Sequence, residues 1–366
     1  MRVIISGGGT GGHIFPAISI ANALKAEMPN VEILFVGALG KMEMERVPAA
    51  GYKIVGLPVA GLQRSFAPQN LLFPFKLIAS IWKAKSVIRS FSPDVVVGVG
   101  GYASGPVLRV ATNTGIPTLI QEQNSYPGLT NKILSKKVTR ICVAYPNMER
   151  FFPASKILLL GNPIRQNLLI LPSREEAAQF FGFDPSKKLI FMTGGSLGAR
   201  TLNEAFIAHI DELINSNVNI LWQTGKFYHQ KVVEAMKAYP SSRIKVVDFV
   251  GQMEMAYALA DLVVSRAGAG AIAEIALLGK AAIFVPSPNV TEDHQTKNAM
   301  ALVNVGSAAL VKDIDAVEQL VDTALEMVND ADLLKQYEKN VKQFAYPNAA
   351  KLIADEVIKL VKKNKQ

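Results

Sequence analysis

The chain has 366 residues, 49% of them hydrophobic and 19% charged, and a net charge of +9. That length and apolar content exclude a disordered chain and favour two domains, while the positive balance asks for an anionic partner: nucleic acid, anionic lipid or a phosphorylated substrate. The single cysteine, Cys142, excludes an internal disulfide and a cysteine-rich zinc site; no signal peptide is expected at an N-terminus that enters a strand directly, and no apolar run reaches the ~18 residues of a membrane helix.

Residues 2–6 are a short apolar run, long enough for a buried strand and too short for a helix. They break into Gly7-Gly8-Gly9-Thr10-Gly11-Gly12-His13, and after Pro16 the apolar spacing becomes helical at Ile18, Ala21 and Leu24. Strand, glycine loop and helix together suit a phosphate-bearing ligand, because glycine lets backbone N–H groups approach an anion and the helix N-terminus adds partial positive charge. Gly7, Gly9 and Gly12 fit the dinucleotide spacing G-x-G-x-x-G, but a tight turn alone would also explain them. The dinucleotide version needs an acidic residue at the end of the second strand. Here residues 31–36 run into Gly37-Ala38-Leu39-Gly40, and Glu43 and Glu45 come later, in sequence that reads as helix. His13 could exchange a proton with a bound sugar or phosphate, or serve only the structure.

A helix over 41–48, a strand over 52–57 and a loop at 61–65 follow. The stretch from Leu71 to Arg89 then crowds Leu72, Phe73, Phe75, Ile78 and Trp82 among Lys76, Lys83 and Lys85. It is either an amphipathic core helix with a lysine rim or an interfacial patch that dips aromatics into a bilayer beside anionic headgroups. Phe73 and Phe75, beside Pro74, are expected in a loop. Residues 95–99 form a buried strand ending in a second glycine loop, Gly100-Gly101-Tyr102, and residues 118–121 form another, ending in Glu122-Gln123-Asn124. Polar residues at such strand ends lie where ligands collect in open α/β sheets, although turn formation also suits Asn124-Ser125. Further strands are expected at 141–144 and 156–160, and 161–165 reads as a hinge.

The second half repeats the theme. A strand at 188–193 enters Gly194-Gly195-Ser196-Leu197-Gly198-Ala199-Arg200, with a helix starting near Leu202. Strands follow near 219–225, 244–250 and 260–266, then a helix over 271–278 that places Glu274 in its first turn, and a last clear strand over 281–286. His294 and Gln295 fall in a loop, 289–298, and the final helix is expected over 349–362. Glu274 either compensates the helix dipole or accepts hydrogen bonds from sugar or ribose hydroxyls. No G-x-x-x-x-G-K-[ST], H-E-x-x-H or G-x-S-x-G occurs. Asp313-Ile314-Asp315 and Asp330-Ala331-Asp332 match an Asp-x-Asp spacing but read as solvated helix ends.

The ordered set Gly8–His13, Gly100-Gly101-Tyr102, Glu122-Gln123-Asn124, Gly161-Asn162-Pro163-Ile164-Arg165, Gly194–Arg200, Ser265-Arg266-Ala267-Gly268 with Glu274, and His294-Gln295 resembles the MurG family. These are the peptidoglycan N-acetylglucosaminyltransferases of glycosyltransferase family 28, of the two-Rossmann-domain (GT-B) class, and the likeness covers nearly the whole chain. It implies an α/β fold of two Rossmann-like domains facing a cleft: an acceptor- and membrane-binding domain over 1–162, a UDP-sugar domain over 163–343, and a C-terminal helix and basic tail over 344–366 that pack back on the first. The implied reaction is inverting and needs neither metal nor cofactor. N-acetylglucosamine moves from UDP-GlcNAc to the C4 hydroxyl of the muramyl peptide on undecaprenyl diphosphate (lipid I), giving lipid II for cell-wall synthesis.

The same resemblance implies the site. His13 would be the base or acceptor-positioning group, with Glu122 and Tyr102 as rivals. Thr10, Gly11, Gly12 and Asn124 would face the donor sugar or acceptor diphosphate, and Arg165 and Ser196 the donor diphosphate. Val250 would meet uracil through its backbone. Ala269, Gly270, Ala271, Ile272, Ala273 and Glu274 would bind the nucleotide, with Glu274 on the ribose, and Gln295 would hold sugar hydroxyls. His294 departs from the family's paired glutamines. The implied partners are UDP-GlcNAc, lipid I and the anionic cytoplasmic face of the bacterial inner membrane, with room for a cell-wall synthesis complex and none for nucleic acid. The alternatives are a UDP-GlcNAc 2-epimerase of the same fold, a non-catalytic membrane-bound nucleotide-sugar subunit, and an NAD-dependent dehydrogenase, which the missing ribose carboxylate disfavours.

Overall fold

A computed structural model describes residues 1–59 and 73–364. The expected loop at 61–65, together with Leu71 and Leu72, lies outside the described residues. The chain divides into two compact units, Met1–Arg165 with Tyr346–Gln366, and Gln166–Ala345.

The first unit is built on a seven-stranded parallel sheet of β1 (Arg2–Ser6), β2 (Glu32–Ala38), β3 (Lys53–Leu57), β4 (Val95–Gly98), β5 (Thr118–Glu122), β6 (Arg140–Val143) and β7 (Ile157–Leu159). The strands lie in the order β3-β2-β1-β4-β5-β6-β7. Val3, Ile4, Ile5, Val95, Val96 and Val97 are all fully buried, because helices cover both faces of such a sheet and each strand reads as a continuous apolar run. The C-terminal helix Ala349–Asn364 closes the same core. Its Ile353, Ala354, Val357 and Leu360 pack with Ile20 and Leu24 of the helix Gly11–Glu27.

The second unit holds a six-stranded parallel sheet: β8 (Leu189–Thr193), β9 (Asn219–Gln223), β10 (Ile244–Val247), β11 (Leu262–Ser265), β12 (Ala281–Phe284) and β13 (Ala309–Leu310). Their order is β10-β9-β8-β11-β12-β13. The two-residue β13 pairs with Ile283 and Phe284 and was not expected from so short an apolar segment.

In both sheets the direction of strand succession reverses beside the first strand, between β1 and β4 and between β8 and β11. At such a reversal the loops leaving the two central strands diverge to opposite faces and open a crevice at their carboxyl ends. The glycine loops after β1, β4 and β8, and the Arg266–Gly268 turn after β11, therefore stand at these switch points.

Helix starts differ most from expectation. The first helix begins at Gly11, and Pro16 lies inside it, removing only the donor for the Gly12 carbonyl. Phe73, Pro74 and Phe75 form the first turn of the helix Phe73–Phe91 rather than a loop, as a proline at an early helical position permits. The helix expected from 271 begins at Ala269, so Glu274 is its sixth residue and lies beyond the first turn. His294 and Gln295 open a helix, His294–Val303, instead of lying in a loop. Asp313 is no solvated helix end: it pairs with Arg266 and accepts a hydrogen bond from Thr201 at 3.1 Å. Asp330 does cap a helix, accepting from the backbone of Asp332 and Leu333.

Candidate functional site

In the first unit the loops after β1 and β4 are fitted into each other. A Cβ at Gly101 would overlap the Gly8 carbonyl, so the second loop lies directly on the first. His13, in the opening turn of its helix, faces back to this junction: its Nδ1 lies 3.2 Å from the Gly8 carbonyl and 3.2 Å from Thr10 Oγ1. A carbonyl oxygen only accepts, so a hydrogen bond from Nδ1 to Gly8 requires the hydrogen on Nδ1. A Cβ at Gly100 would stand 2.9 Å from Nε2, which places that edge of the ring against the bare glycine. Thr10 and Gly12 are exposed beside it, as is Tyr102 on the second loop.

Glu122, the last residue of β5, is 1% exposed. Its carboxylate accepts from the Asn124 N–H at 3.0 Å, Asn124 Nδ2 at 3.2 Å, the Gly128 N–H at 3.2 Å and Asn131 Nδ2 at 2.8 Å. Burial raises its pKa above the usual carboxylate range, and these four donors pull it part of the way back. Both oxygens are thus committed to shaping the loop after β5. Below them, Gln121 Nε2 donates to Asn162 Oδ1 at 2.9 Å, and Asn162 Nδ2 donates to the Gln123 carbonyl at 3.0 Å. Asn162, placed by the sequence in a hinge, is therefore anchored to the carboxyl end of β5. Gly161 is anchored too, at φ +86° with a Cβ position filled by Tyr346. Arg165, the last residue of this unit's first segment, holds its guanidinium 5.9 Å from the Phe15 ring centroid. Cys142 is buried, and burial pushes its thiol above the reactive range.

In the second unit the loop after β8 presents Ser196 exposed at its tip, and the loop's Ser196 carbonyl accepts the Lys226 N–H at 3.1 Å. Asn203 holds this region together. Its Nδ2 donates to the Ala199 and Thr224 carbonyls at 3.0 and 2.9 Å, and its Oδ1 accepts from Trp222 Nε1 at 2.8 Å. Val250 is buried, and its N–H donates to Gln223 Oε1 at 2.9 Å. Gly268 starts the helix Ala269–Leu278 in extended geometry with no side-chain cap. Gly270 and Ala271 follow in its first turn. Glu274 is buried, and its Oε2 accepts from the Tyr257 hydroxyl at 3.0 Å. Gln295 Oε1 accepts the Ser287 N–H at 2.9 Å, tying the strand end after β12 to the next helix. Arg266 serves the same join, donating to the Val285 and Pro286 carbonyls as well as to Asp313.

The predicted site residues thus fall into two groups. Thr10, Gly11, Gly12, His13, Tyr102, Glu122, Asn124 and Arg165 lie in the first unit, and Ser196, Val250, residues 269–274 and Gln295 in the second. Sequence reasoning missed Asn131, Gln223 and Asn203, whose amides fix the loops from beneath, and Glu43, which does the same under the first glycine loop. Nothing in their local spacing marks them, because each acts on a backbone group distant in sequence. Among the described residues no group of three or more His, Cys, Asp or Glu side chains could hold a metal ion.

The helix Phe73–Phe91 carries the predicted lipid-facing patch. Ser80, Ala84, Val87 and Ile88 are buried on one side. On the other, Phe75, Ile78 and Trp82 are 70, 55 and 75% exposed, at i, i+3 and i+7 along one stripe. Lys76, Lys83 and Lys85 are exposed, and Phe73 is half-buried. No described helix is long and apolar enough to cross a membrane.

Comparison with known proteins agrees with both halves of this layout. Residues 3–143 match the glycosyltransferase family 28 N-terminal domain, and residues 189–353 match the family 28 C-terminal domain. The chain is 57% identical, over 100% of its length and 97% of the relative's, to a protein of Bacteroides fragilis. That relative is described as UDP-N-acetylglucosamine–N-acetylmuramyl-(pentapeptide) pyrophosphoryl-undecaprenol N-acetylglucosamine transferase. A Parabacteroides distasonis protein of the same description is 53% identical over 99% of both chains. The crystal structure of Acinetobacter baumannii MurG superposes with a TM-score of 0.79 at 30% identity, covering 98% of this chain and 99% of that one. With two parallel sheets in the GT-B arrangement and full-length similarity of this order, the chain belongs to glycosyltransferase family 28 and, within it, to the MurG enzymes.

Proposed function

We propose that the protein transfers N-acetylglucosamine from UDP-N-acetylglucosamine to the C4 hydroxyl of the muramyl sugar on undecaprenyl diphosphate, converting lipid I to lipid II with release of UDP. The observation that carries the reading is the end-to-end similarity to relatives whose description names this donor and acceptor. The family matches over both halves are to glycosyltransferases, which leaves the epimerase alternative unfavoured.

The chemistry follows from the residues. The acceptor C4 oxygen attacks the anomeric carbon of the donor sugar while His13 Nε2 takes its proton. The bond from that carbon to the diphosphate oxygen breaks, and UDP leaves with the electron pair. One displacement inverts the anomeric centre. We assign the base to His13 because Glu122 already accepts four hydrogen bonds and is buried. Glu122 then shapes the loop that carries Asn124, and exposed Tyr102 contacts the acceptor. Thr10, Gly11 and Gly12 line the acceptor diphosphate. Charge growing on the leaving diphosphate is met by Arg165, Ser196 and helix N-terminal N–H groups, without routing any step through a metal. The Val250 carbonyl accepts from uracil N3–H, Glu274 accepts from ribose hydroxyls, residues 269–273 line the nucleotide, and Gln295 meets the sugar.

The lipid-linked acceptor assigns the Phe75, Ile78 and Trp82 stripe, with Phe73 and the flanking Lys76, Lys83 and Lys85, to an anionic membrane surface on the cytoplasmic side, as a peripheral contact. The test is incubation of the purified protein with labelled UDP-N-acetylglucosamine and a lipid I analogue. UDP release that requires the acceptor is the expected result. Release of free 2-epimer, or no release at all, overturns the reading.

A further inference from the structure

We infer that Glu43 is a positioning residue for the first glycine loop, fixing the Gly8–Gly9 backbone so that the Gly8 carbonyl holds His13 with its proton on Nδ1. The inference deepens the reading above and rests on His13 as the group that takes the acceptor proton.

Glu43 opens the short helix Glu43–Ala49, yet its side chain is 1% exposed and turns back toward the sheet. Its Oε1 accepts the Ala38 N–H at 2.9 Å, and its Oε2 accepts the Gly9 N–H at 2.9 Å. Ala38 is the last residue of β2, so one carboxylate ties the end of β2 to the loop leaving β1. No carboxylate lies at that strand end in the sequence itself. The structure places one there from five residues further on, pointing inward to the loop rather than outward to a ribose. The Gly9 N–H, which an anion-binding loop would offer to a phosphate, is committed to Glu43.

The surroundings are cut to fit this carboxylate. A Cβ at Gly8 would overlap its oxygens, and a Cβ at Gly37 would overlap its Cγ. Gly8 sits at φ +146° and Gly9 at φ +90°, a conformation that side chains disfavour. Two charge-assisted bonds from a buried acid hold the loop there from one side, while Gly101 presses on the Gly8 carbonyl from the other. That carbonyl is the one 3.2 Å from His13 Nδ1. Glu43 therefore acts on the imidazole through a single peptide unit, as an outer hydrogen-bond partner fixes a tautomer elsewhere.

The test uses Glu43→Gln, which keeps the volume but turns an amide N–H toward one of the two backbone N–H donors. With the four histidines labelled in nitrogen-15 and His13 assigned by difference from His13→Ala, NMR should show the Nδ1–H tautomer dominant in the parent and depleted in Glu43→Gln. Transferase kcat should fall by about 10-fold or more with the UDP-GlcNAc KM within about twofold, and on a His13→Ala background Glu43→Gln should cost under about twofold more. If Glu43→Gln lacks a cooperative thermal transition, Glu43→Asp, one methylene short of spanning both amides, takes its place in each measurement. An unchanged His13 tautomer, or losses that multiply on the His13→Ala background, overturns the inference. Because the NMR reading needs no substrate, its failure in a chain that still transfers sugar sinks the role of Glu43 alone. A parent that transfers nothing sinks the function while leaving the tautomer result standing.

Discussion

The exposed stripe on the helix Phe73–Phe91 is the feature with the most direct physical consequence. At about 100° per residue, Phe75, Ile78 and Trp82 fall within roughly 60° of one another around the helix, opposite the buried Ser80, Ala84 and Val87. Lys76 and Lys83 fall on one shoulder of the stripe and Lys85 on the other, which is the layout of a helix lying in a headgroup layer. Burying an exposed Phe or Trp is worth about 1.5–3 kcal/mol, so removing both forfeits about 3–6 kcal/mol. Each flanking lysine adds about 1 kcal/mol on an anionic surface. Phe75→Asp with Trp82→Asp should therefore weaken binding to vesicles of mixed anionic and neutral lipid by about 100-fold or more, since every 1.4 kcal/mol is tenfold. Sedimentation with sucrose-loaded vesicles measures this directly. The same variant should keep its activity on a short-chain, water-soluble acceptor, because the substituted side chains point away from the packed face. Unchanged vesicle binding would refute the argument, and so would equal loss on the soluble acceptor, which would mean that the stripe serves the fold.

Three further outcomes follow from the site. His13→Ala should lower kcat by about 10²- to 10⁴-fold with little change in the donor KM, measured by steady-state UDP release; near-normal turnover would remove His13 from the base role. Glu274→Ala should raise the UDP-GlcNAc KM by about tenfold or more, and the lost Tyr257 bond should lower stability by about 1–3 kcal/mol in denaturant titration. An unchanged KM would leave Glu274 only its structural bond. Glu122 has a folded pKa raised by burial, so the fold favours its protonated form. Its contribution is present below the unfolded carboxylate value of about 4.3 and is lost as pH rises through the folded value. Urea unfolding of the parent and Glu122→Gln from about pH 4 to pH 8 should then show the difference moving against the parent as pH climbs. Movement the other way would contradict the burial argument.

The strands were legible because parallel strands covered on both faces leave continuous apolar runs, as at Val95–Gly98 and Leu189–Thr193. Glycine loops at their ends were legible for the same reason, as breaks in those runs. Helix starts were less so: Gly11, Ala269 and His294 begin helices inside segments whose shape is set by contacts with other loops, not by the local sequence. Side-chain direction was the least legible. Glu43 reads locally as a helix residue, Asp313 as a solvated helix end and Asn162 as part of a hinge, yet each is turned to a partner brought near only by the fold. Glu274 was placed one turn too early in its helix, because Ala269 and Gly270 look like loop until the helix that contains them is seen.

The division of the chain offers a stricter test than any one substitution. The residues assigned to the acceptor sit at the β1–β4 reversal of the first unit, and most of those assigned to the nucleotide sit at the β8–β11 reversal of the second. Each unit has its own sheet and buried core, so a side chain truncated in one leaves the other's packing intact. His13→Ala should accordingly bind UDP as the parent does in calorimetry, while Glu274→Ala should bind it more weakly by the factor seen in its KM. Arg165 is the exception that sharpens the argument: it belongs to the first unit yet is assigned to the donor diphosphate. If Arg165→Ala weakens UDP binding while His13→Ala does not, the nucleotide draws on the first unit through that guanidinium. If both weaken it equally, the assignment of separate ligands to the two switch points is wrong.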